Sequence, residues 1–169
     1  IELIINSYSN LDQILNEIEI ESVSGILLDL GLSSAQLADA NRGFSYDSNG
    51  SLDMRFNPDS GISVKDFFRT VSEQELADII WSFGEERHSR KIAYNIKSAS
   101  SMETVDDLRE AIRRSTPPKN RNRSFARVFQ ALRIAVNDEL LHLGIFLEKF
   151  IDLLTIGGRI IIISYHSLE

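Results

Sequence analysis

The sequence predicts an α/β fold with a small all-helical domain inserted into it. Two short apolar runs, residues 25–30 and 158–163, each end in polar residues. This pattern is typical of buried parallel strands that deliver polar groups to the carboxyl edge of a sheet. An apolar stretch and a helical segment precede the first run, and this strand, helix, strand order favours a parallel sheet. Between the two runs, four predicted helices follow one another without a strand, which no simple crossover explains.

The first third of the chain is predicted to contain two strands, one helix and a long loop. Residues 1–5 are predicted as a strand. Asn10, with Gln13 three residues later, is predicted to cap a helix that ends near residue 19. The strand at residues 25–30 follows. Residues 38–58 are rich in turn formers and also carry aromatic and apolar side chains, so we expect an ordered and functional loop there.

Capping signals predict the helices of the inserted domain. Ser63-Val-Lys-Asp66 is predicted to begin the first helix, and Ser72-Glu-Gln-Glu75 is a capping box for the second, which Gly84 is expected to end. Two more helices are predicted at residues 85–98 and 104–114, the latter capped by Thr104 and closed before Pro117-Pro118. The three predicted domains are residues 1–57 (core), 58–123 (insert) and 124–169 (core).

The core is predicted to resume with one long helix and the final strand. Apolar residues recur at helical spacing over residues 124–154, and Gly157-Gly158 is expected to turn the chain into the last strand.

Composition excludes several classes of protein. The chain has 169 residues, 43% of them hydrophobic and 25% charged, which suits one good core or one core with a small satellite. No apolar stretch approaches the roughly 20 residues of a membrane span, and the start lacks a signal-peptide pattern, so we expect a cytoplasmic protein without a membrane partner. The absence of cysteine excludes disulfides, thiolate metal sites and cysteine nucleophiles. Three scattered histidines give no metal-binding spacing.

The net charge of −7 hides a basic central third. Residues 85–133 contain 12 Lys or Arg and 6 Asp or Glu, whereas the other 120 residues contain 6 and 19. The basic side chains that could neutralise phosphates are Arg109, Arg113, Arg114, Lys119, Arg121, Arg123 and Arg127. A solvated helix face and loop explain the same cluster equally well.

The polar residues at the two strand ends are the candidates for chemistry. Asp29 is either a cap for the following turn or a carboxylate that orients a ligand. His166 follows the last strand and is the histidine whose position suggests a cleft. Asp29, Ser33 or Ser34, and His166 could compose a hydrolase triad, but the Gly-x-Ser-x-Gly elbow is absent, which disfavours hydrolysis.

Two charged motifs allow a structural or a functional interpretation. The segment Leu52-Asp-Met-Arg55 predicts either a local ion pair or a substrate clamp. Glu85-Glu-Arg87 is explained by acids at the positive end of a helix dipole. No glycine-rich phosphate-binding loop is present, so a loop that cradles a nucleotide-like cofactor is expected to lie outside this sequence.

Six segments, in order, resemble the signature segments of the bacterial ribosomal-RNA cytosine-N4 methyltransferases (RsmH, also called MraW). They cover nearly the whole chain: Gly25 to Gln36, Arg42-Gly-Phe-Ser45, Leu52-Asp-Met-Arg55, Gly84-Glu-Glu-Arg87, Phe129 to Leu140, and Gly157-Gly-Arg159 to His166-Ser-Leu-Glu169. The resemblance implies a Rossmann-like, S-adenosylmethionine-dependent methyltransferase core, incomplete at both ends, with a helical insert. Its implied activity is N4-methylation of a cytosine in the decoding region of small-subunit ribosomal RNA.

The resemblance also implies roles for individual residues. The cofactor contacts fall on Tyr8, where the family usually has phenylalanine, and on Asp29 and Gln36. From the chemistry that this activity requires, and not from matched family positions, the candidates for orienting or deprotonating the amine are Asn137, Ser164 and His166. Phe44 and Tyr46 are candidates for stacking on an RNA base, and packing within the loop explains them equally well. Arg55, Arg87 and the basic cluster, which includes Arg113 and Arg127, are candidates for contacting the RNA backbone. An exocyclic nitrogen as the methyl acceptor is consistent with a chain that lacks cysteine.

The same resemblance implies binding partners and shows where this sequence departs from the family pattern. The implied partner is small-subunit ribosomal RNA, naked or in the assembled subunit, and a homodimer is left open. The glycine-rich loop and the acid that grips the ribose would precede Ile1, so this piece alone is not expected to bind cofactor tightly. Asn122–Val128 replaces the usual His-Pro-Ala-Thr-Arg-Thr stretch. The alternative function is a catalytically silent RNA- or protein-binding module that keeps the fold.

Overall fold

The protein is an α/β chain with eight helices and a small parallel sheet. A computed structural model describes residues 1–169. The regular elements are α1 (Leu11–Glu17), β1 (Val23–Asp29), α2 (Ser34–Ala38), α3 (Val64–Thr70), α4 (Glu73–Gly84), α5 (Ser89–Lys97), α6 (Val105–Ser115), α7 (Arg121–Val136), α8 (Glu139–Lys149) and β2 (Leu154–Ile163). Short 3₁₀ turns lie at Tyr8–Asn10, Ala40–Arg42, Pro118–Asn120 and Phe150–Leu153. None of the helices combines the length and hydropathy that crossing a membrane requires.

The chain folds as two compact units. Unit 1 comprises Ile1–Gly31 and Asp138–Glu169, and unit 2 comprises Leu32–Asn137. Unit 2 is wider at both ends than the predicted insert at residues 58–123. The division into a core and an inserted domain stays a prediction.

The sheet of unit 1 consists of β1 and β2, which pair in parallel as expected. The register runs from Gly25 opposite Arg159 to Asp29 opposite Ile163. Near its start the pairing is irregular, because β2 advances five residues, from Leu154 to Arg159, where β1 advances two. Gly157, at a φ of 80°, lies in this bulge. The glycines that were predicted to precede the strand therefore lie within β2.

The predicted strand at residues 1–5 is wrong. These residues form no strand, and the side chains of Ile1, Leu3 and Ile5 are almost fully exposed. A strand needs a hydrogen-bonding neighbour, and no segment of the chain pairs with these residues. The predicted helix start at Asn10 is confirmed in position, because Asn10 is the N-cap residue of α1, but its side chain makes no capping bond. A 3₁₀ turn at Tyr8–Asn10 precedes α1, and the Ser7 side chain caps that turn by accepting a bond from the backbone N–H of Ser9.

The predicted burial of the strands holds for one face of the sheet. Leu28 of β1 and Leu30, which follows the strand, pack against Leu143 and Phe146 of α8. Neighbouring side chains of a strand point to opposite faces, and on the other face Leu27 is 67% exposed. Within this chain, the apolar cluster of unit 1 lies on the α8 side of the sheet.

Unit 2 is a helical unit around one core, and the local capping signals predicted its helices well. The side chains of Ser63, Ser72 and Thr104 cap α3, α4 and α6, and the boxes at Ser72 and Thr104 are complete. A core cluster of 21 buried apolar residues joins these helices to α5 and α7. The long loop that was predicted to be ordered contributes to this core with Phe44, Leu52 and Met54.

The turn between α4 and α5 differs from the prediction. Gly84 is the last residue of α4, and Glu85 takes the left-handed conformation at a φ of 51°. Glycine is needed at position 84 because a Cβ there would lie 2.5 Å from the backbone oxygen of Arg127. The predicted helix start at Glu85 is wrong, since α5 begins at Ser89. Glu86 is buried instead, and its carboxylate accepts hydrogen bonds from the Ser124 hydroxyl and a backbone N–H.

The single helix predicted over residues 124–154 is two helices. The break lies between α7 and α8, where Asp138 adopts a left-handed φ of 49°. Asn137 follows the last residue of α7, and its side chain bonds to backbone groups of residues 54–56, 81 to 83 positions earlier. Apolar spacing does not report a break of this kind, because the periodicity continues on both sides of it.

Candidate active site

Unit 1 places Asp29 at the carboxyl edge of its sheet. The Asp29 carboxylate is exposed, and the chain leaves the edge through Leu30, whose N–H donates to the Ile163 oxygen at 3.1 Å. Gly31 follows in a left-handed conformation, with a φ of 93°. The two strands end side by side, as parallel pairing requires, so residues 164–169 leave the sheet beside Asp29.

Tyr165 joins the two strand ends. Its hydroxyl donates to Asp29 Oδ1 at 3.3 Å, and the negative charge of Asp29 raises the pKa of the tyrosine. The other carboxylate oxygen, Oδ2, has no partner within the chain. Tyr165 was not among the predicted site residues, although an aromatic residue with a polar tip directly after the second strand was a usable signal.

The His166 imidazole lies against the carboxylate of Glu169, which was not a predicted site residue. Its Nε2 is 3.1 Å from Glu169 Oε1, and the two side chains are only 11% and 5% exposed. Glu169 Oε2 accepts the backbone N–H of Tyr165 at 2.8 Å, so the same carboxylate closes the turn over residues 165–169. Ser164, the third candidate at this edge, is exposed. The spacing of three residues between His166 and Glu169 was the signal for this pair.

Tyr8 also belongs to unit 1. Its ring packs edge-on against Phe146, with centroids 5.8 Å apart, and its hydroxyl lies 3.4 Å from the backbone oxygen of Glu139. Burial raises the pKa of Tyr8 to about 12. The phenol therefore stays neutral at physiological pH and offers an aromatic body with a donor at its tip.

In unit 2, Gln36 belongs to the capping box of α2. Its Oε1 accepts the N–H of Ser33 at 3.0 Å, and the Ser33 hydroxyl accepts the N–H of Gln36 at 3.2 Å. The amide nitrogen of Gln36 keeps both of its donors for a ligand. The Ser33 hydroxyl acts as a cap, which gives the hydrolase triad no support.

Arg55 forms the local ion pair, one of the two structures predicted for its motif. Its Nε donates to Asp53 Oδ1 at 2.7 Å and one terminal nitrogen donates to Oδ2 at 2.9 Å. This bidentate contact holds the pKa of Asp53 below its usual value. The guanidinium is thereby fixed in direction. Its predicted contact with substrate stays a prediction.

The loop aromatics pack within unit 2. Phe44 is 6% exposed and stacks at a tilt on Phe56, with the Arg42 guanidinium 5.5 Å from its ring centre. Tyr46 packs against Phe125 and Phe129. Packing within the loop, one of the two predicted roles, is therefore present, and base stacking stays a prediction.

Both hydrogen-bonding atoms of the Asn137 side chain have partners within unit 2. Its Oδ1 accepts the N–H of Phe56 at 2.6 Å, and its Nδ2 donates to the carbonyls of Met54 and Arg133 at 2.7 and 2.9 Å. Both amide hydrogens are therefore used by backbone carbonyls of unit 2.

The basic candidates lie on helices and turns of unit 2. Arg87 is exposed in the turn that follows α4. Arg113, on α6, lies 5.8 Å from the ring centre of Phe125 and 3.9 Å from Glu110. Arg127 is half-buried on α7. No group of three or more His, Asp and Glu side chains is arranged to hold a metal ion.

Each unit therefore gathers part of the predicted set. Unit 1 brings Asp29, Tyr165 and the His166–Glu169 pair to one edge of the sheet, with Tyr8 on the helical side. Unit 2 holds Gln36 and a loop fixed by Asn137. An exposed carboxylate therefore lies at the carboxyl edge of the sheet, the place where parallel sheets bind ligands.

Comparison with known proteins gives a consistent result. Residues 1–169 match the family model described as the MraW methylase family. The chain is 46% identical over 173 residues to ribosomal RNA small subunit methyltransferase H of Thermosipho africanus, with 100% of the chain and 60% of the relative covered. It is 43% identical over 164 residues to the protein of that name from Acinetobacter baumannii, with 96% and 53% covered. The chain thus spans little more than half the length of these relatives.

Proposed function

Because the chain belongs to the MraW methylase family, we propose that the protein transfers a methyl group from S-adenosylmethionine to small-subunit ribosomal RNA. The acceptor is the N4 amino group of a cytosine in the decoding region. The observation that carries this proposal is the parallel β1–β2 edge, where Asp29 and residues 165–169 meet. The names of the relatives support the class of substrate.

Three side chains are proposed to hold the cofactor. Asp29 offers Oδ2 to hydroxyl or amino donors, the amide nitrogen of Gln36 offers two donors, and Tyr8 offers an aromatic face. When bound, S-adenosylmethionine supplies a methyl group on a sulfonium cation. The anionic Asp29 is compatible with that positive charge. Tyr165 orients the carboxylate, since its hydroxyl donates to Oδ1.

The reacting amine sets the demands on the other candidates. A cytosine amino group is a poor nucleophile because its lone pair is delocalised into the ring, so the protein must hold it in line and accept its proton. We propose that His166 and Ser164 meet this demand. The Nε2 atom of His166 lies 3.1 Å from Glu169 Oε1, so a carboxylate stands directly beside the imidazole. Asn137 is the third candidate of the sequence analysis, and its engaged amide favours an indirect role.

Recognition of the RNA is proposed to rest on unit 2. Between positions 109 and 127 the chain has seven Lys or Arg and one acidic residue, Glu110. This charge attracts phosphates regardless of sequence and makes binding sensitive to salt. Arg113 and Arg127 belong to this cluster, Arg87 lies in the turn after α4, and the guanidinium of Arg55 is held in a fixed direction. Phe44 is proposed to act by supporting the loop at residues 38–58 from within, because its ring is only 6% exposed and packs on Phe56.

The test is a transfer assay with the intact protein, methyl-labelled S-adenosylmethionine and two substrates, naked small-subunit RNA and assembled small subunits. The RNA product is digested to nucleosides, which are separated and identified by mass spectrometry. The proposal predicts label in N4-methylcytidine from at least one substrate. Label in another nucleoside contradicts the proposed acceptor. Salt-sensitive RNA binding without any transfer would support the silent binding module instead.

A further inference from the structure

The loop triplet Met54–Phe56 lies outside every helix and strand, yet each of its backbone N–H groups has a partner within unit 2. The first N–H donates to the backbone oxygen of Arg42 at 2.9 Å, and the second donates to Asp53 Oδ1 at 3.1 Å. The third donates to Asn137 Oδ1 at 2.6 Å. In irregular backbone, some N–H groups usually bond to water instead of to protein atoms. The triplet is therefore unusually well held, because all three of its N–H groups bond to protein atoms.

The three carbonyls of the loop triplet are engaged as well. The first accepts a bond from Asn137 Nδ2 at 2.7 Å. The second and third accept bonds from the guanidinium of Arg42, the latter at 3.1 Å. Asn137 and Arg42 therefore supply five of the six partners of the triplet, the sixth being Asp53, and they hold it from two sides.

The clamp explains how the triplet keeps a strained shape. Met54 has a φ of 58°, in the left-handed region that residues other than glycine and asparagine rarely adopt. Its side chain is fully buried. Such a conformation persists only when the surroundings over-determine it, and it is found most often at functional sites. The two bonds from Asn137 lie just after the strained φ of Met54, at the Met54 carbonyl and at the N–H of Phe56, while the Met54 N–H is held by the backbone oxygen of Arg42.

We infer that Asn137 is a positioning residue that locks the loop triplet Met54–Phe56 and thereby aims the guanidinium of Arg55 at the RNA. The second half of this inference rests on the proposed function, in which Arg55 contacts the substrate. Asn137 itself does not touch the reacting amine. Both hydrogens of its amide are used by carbonyls, and an amide oxygen that already accepts an N–H is a poor base.

The structural half is tested by hydrogen exchange, measured by NMR at single backbone amides of the intact protein. Asn137→Ala is expected to speed exchange at Phe56 by about tenfold, because the amide loses its acceptor and the triplet loses its tie to α7. Asn95→Ala is the matched control: Asn95 is a half-buried amide of unit 2 that bonds to Ser115 and not to the triplet. It is expected to leave exchange at Phe56 unchanged. Unchanged exchange in Asn137→Ala overturns the inference.

The functional half is tested by Asn137→Asp, which is nearly equal in size and serves as the second variant if Asn137→Ala does not fold. The carboxylate keeps an acceptor for Phe56 but loses both donors and faces the carbonyls of Met54 and Arg133. We expect the KM for RNA to rise about tenfold or more, with the affinity for S-adenosylmethionine unchanged. If Asn137 instead accepted the proton of the amine, the carboxylate of Asn137→Asp would be a better base than the amide. A kcat that is kept or raised in this variant would therefore overturn the inference.

The hydrogen-exchange and KM experiments distinguish failure of the inference from failure of the proposed function. If the wild-type protein transfers no methyl group, the proposed function fails, and the KM comparison is replaced by salt-controlled binding of the same RNA. Weaker binding by Asn137→Asp, with wild-type binding by Asn95→Ala, supports the inference under those conditions. Equal binding by the two variants contradicts it.

Discussion

The two compact units differ in how much apolar surface they bury. The core cluster of unit 2 contains 21 buried apolar residues, whereas that of unit 1 contains four, Leu28, Leu30, Leu143 and Phe146. On the opposite face of the sheet, Leu27 and Ile161 are 67% and 61% exposed. Because apolar burial is the main favourable contribution to folding, unit 2 carries most of the stability of this chain. The exposed carboxylate that we propose for cofactor binding lies in unit 1.

This contrast teaches that stability and proposed chemistry are carried by different residues. The polar groups of unit 2 are largely committed to holding its backbone, as in the loop triplet and the three side-chain caps. At the sheet edge of unit 1, Asp29 keeps an oxygen free and Ser164 is exposed. Substitutions in the two units should therefore separate activity from stability.

The largest expected effect comes from removing the edge carboxylate. Asp29→Ala in the intact protein is expected to lower methyl transfer at least about 100-fold, since it removes the acceptor proposed for the cofactor. The fold should be preserved, because an exposed substitution usually changes the free energy of unfolding by less than about 0.5 kcal/mol. Transfer of labelled methyl groups measures the first quantity and thermal unfolding the second.

The matched control for this experiment is Asp152→Ala, another exposed carboxylate of unit 1. It should leave both quantities unchanged. Wild-type turnover in Asp29→Ala would remove Asp29 from the site.

The next effect compares leucines of the two units. Leu132, on α7, is fully buried, so Leu132→Ala is expected to lower the free energy of unfolding by about 2–5 kcal/mol. Leu27→Ala, on the exposed face of the sheet, should cost less than about 0.5 kcal/mol. Urea unfolding followed by circular dichroism measures both. Equal losses would show that the difference in burial does not set the difference in stability.

Two helical glycines, one in each unit, allow a second comparison of stability in which the expected changes in the free energy of unfolding are smaller. Gly84→Ala places a methyl group against the Arg127 carbonyl and is expected to destabilise unit 2 by about 1–3 kcal/mol. Gly144, in α8 of unit 1, has no atom within 4 Å of the added Cβ, so Gly144→Ala should stabilise by about 0.5–1 kcal/mol. Opposite signs in thermal unfolding are predicted. A stabilising Gly84→Ala would mean that α4 and α7 can separate without loss.

The smallest effect concerns pH. The Arg55 guanidinium lowers the pKa of Asp53 from 3.8, so the carboxylate contributes stability above about pH 4. That contribution is lost as the pH falls through the lowered pKa. Asp53→Asn is expected to lower the free energy of unfolding at pH 7 by less than about 1 kcal/mol, with a difference from wild type that narrows in acid. Asp47→Asn, an exposed carboxylate of the same loop, is the control. A difference that widens in acid would contradict the sign.

What the sequence predicted well is local. The caps at Ser63, Ser72 and Thr104 identified helix starts because the capping bond joins residues three positions apart. The parallel pairing of β1 and β2 was also predictable, since both apolar runs end in polar residues. The resemblance of six segments led to the family that the comparison confirms.

What the sequence could not predict is set by distant partners. Residues 1–5 have the composition of a strand but no neighbour in the chain. The break after Asn137 and the clamp on residues 54–56 depend on contacts about 80 positions apart, which no local pattern reports. Of the candidate site, Asp29 and His166 were found from their place at strand ends, whereas Tyr165 and Glu169 were not predicted, although both follow the second strand and the bonds in the structure show their part in the edge.

Calorimetric titration of the intact protein with S-adenosylmethionine tests most directly whether the β1–β2 edge is a cofactor site. We expect saturable binding at one site per chain in the wild-type protein and at least tenfold weaker binding in Asp29→Ala, with Asp152→Ala as wild type. Equal affinity in Asp29→Ala and wild type, or no binding by the wild-type protein, would contradict the assignment of this edge.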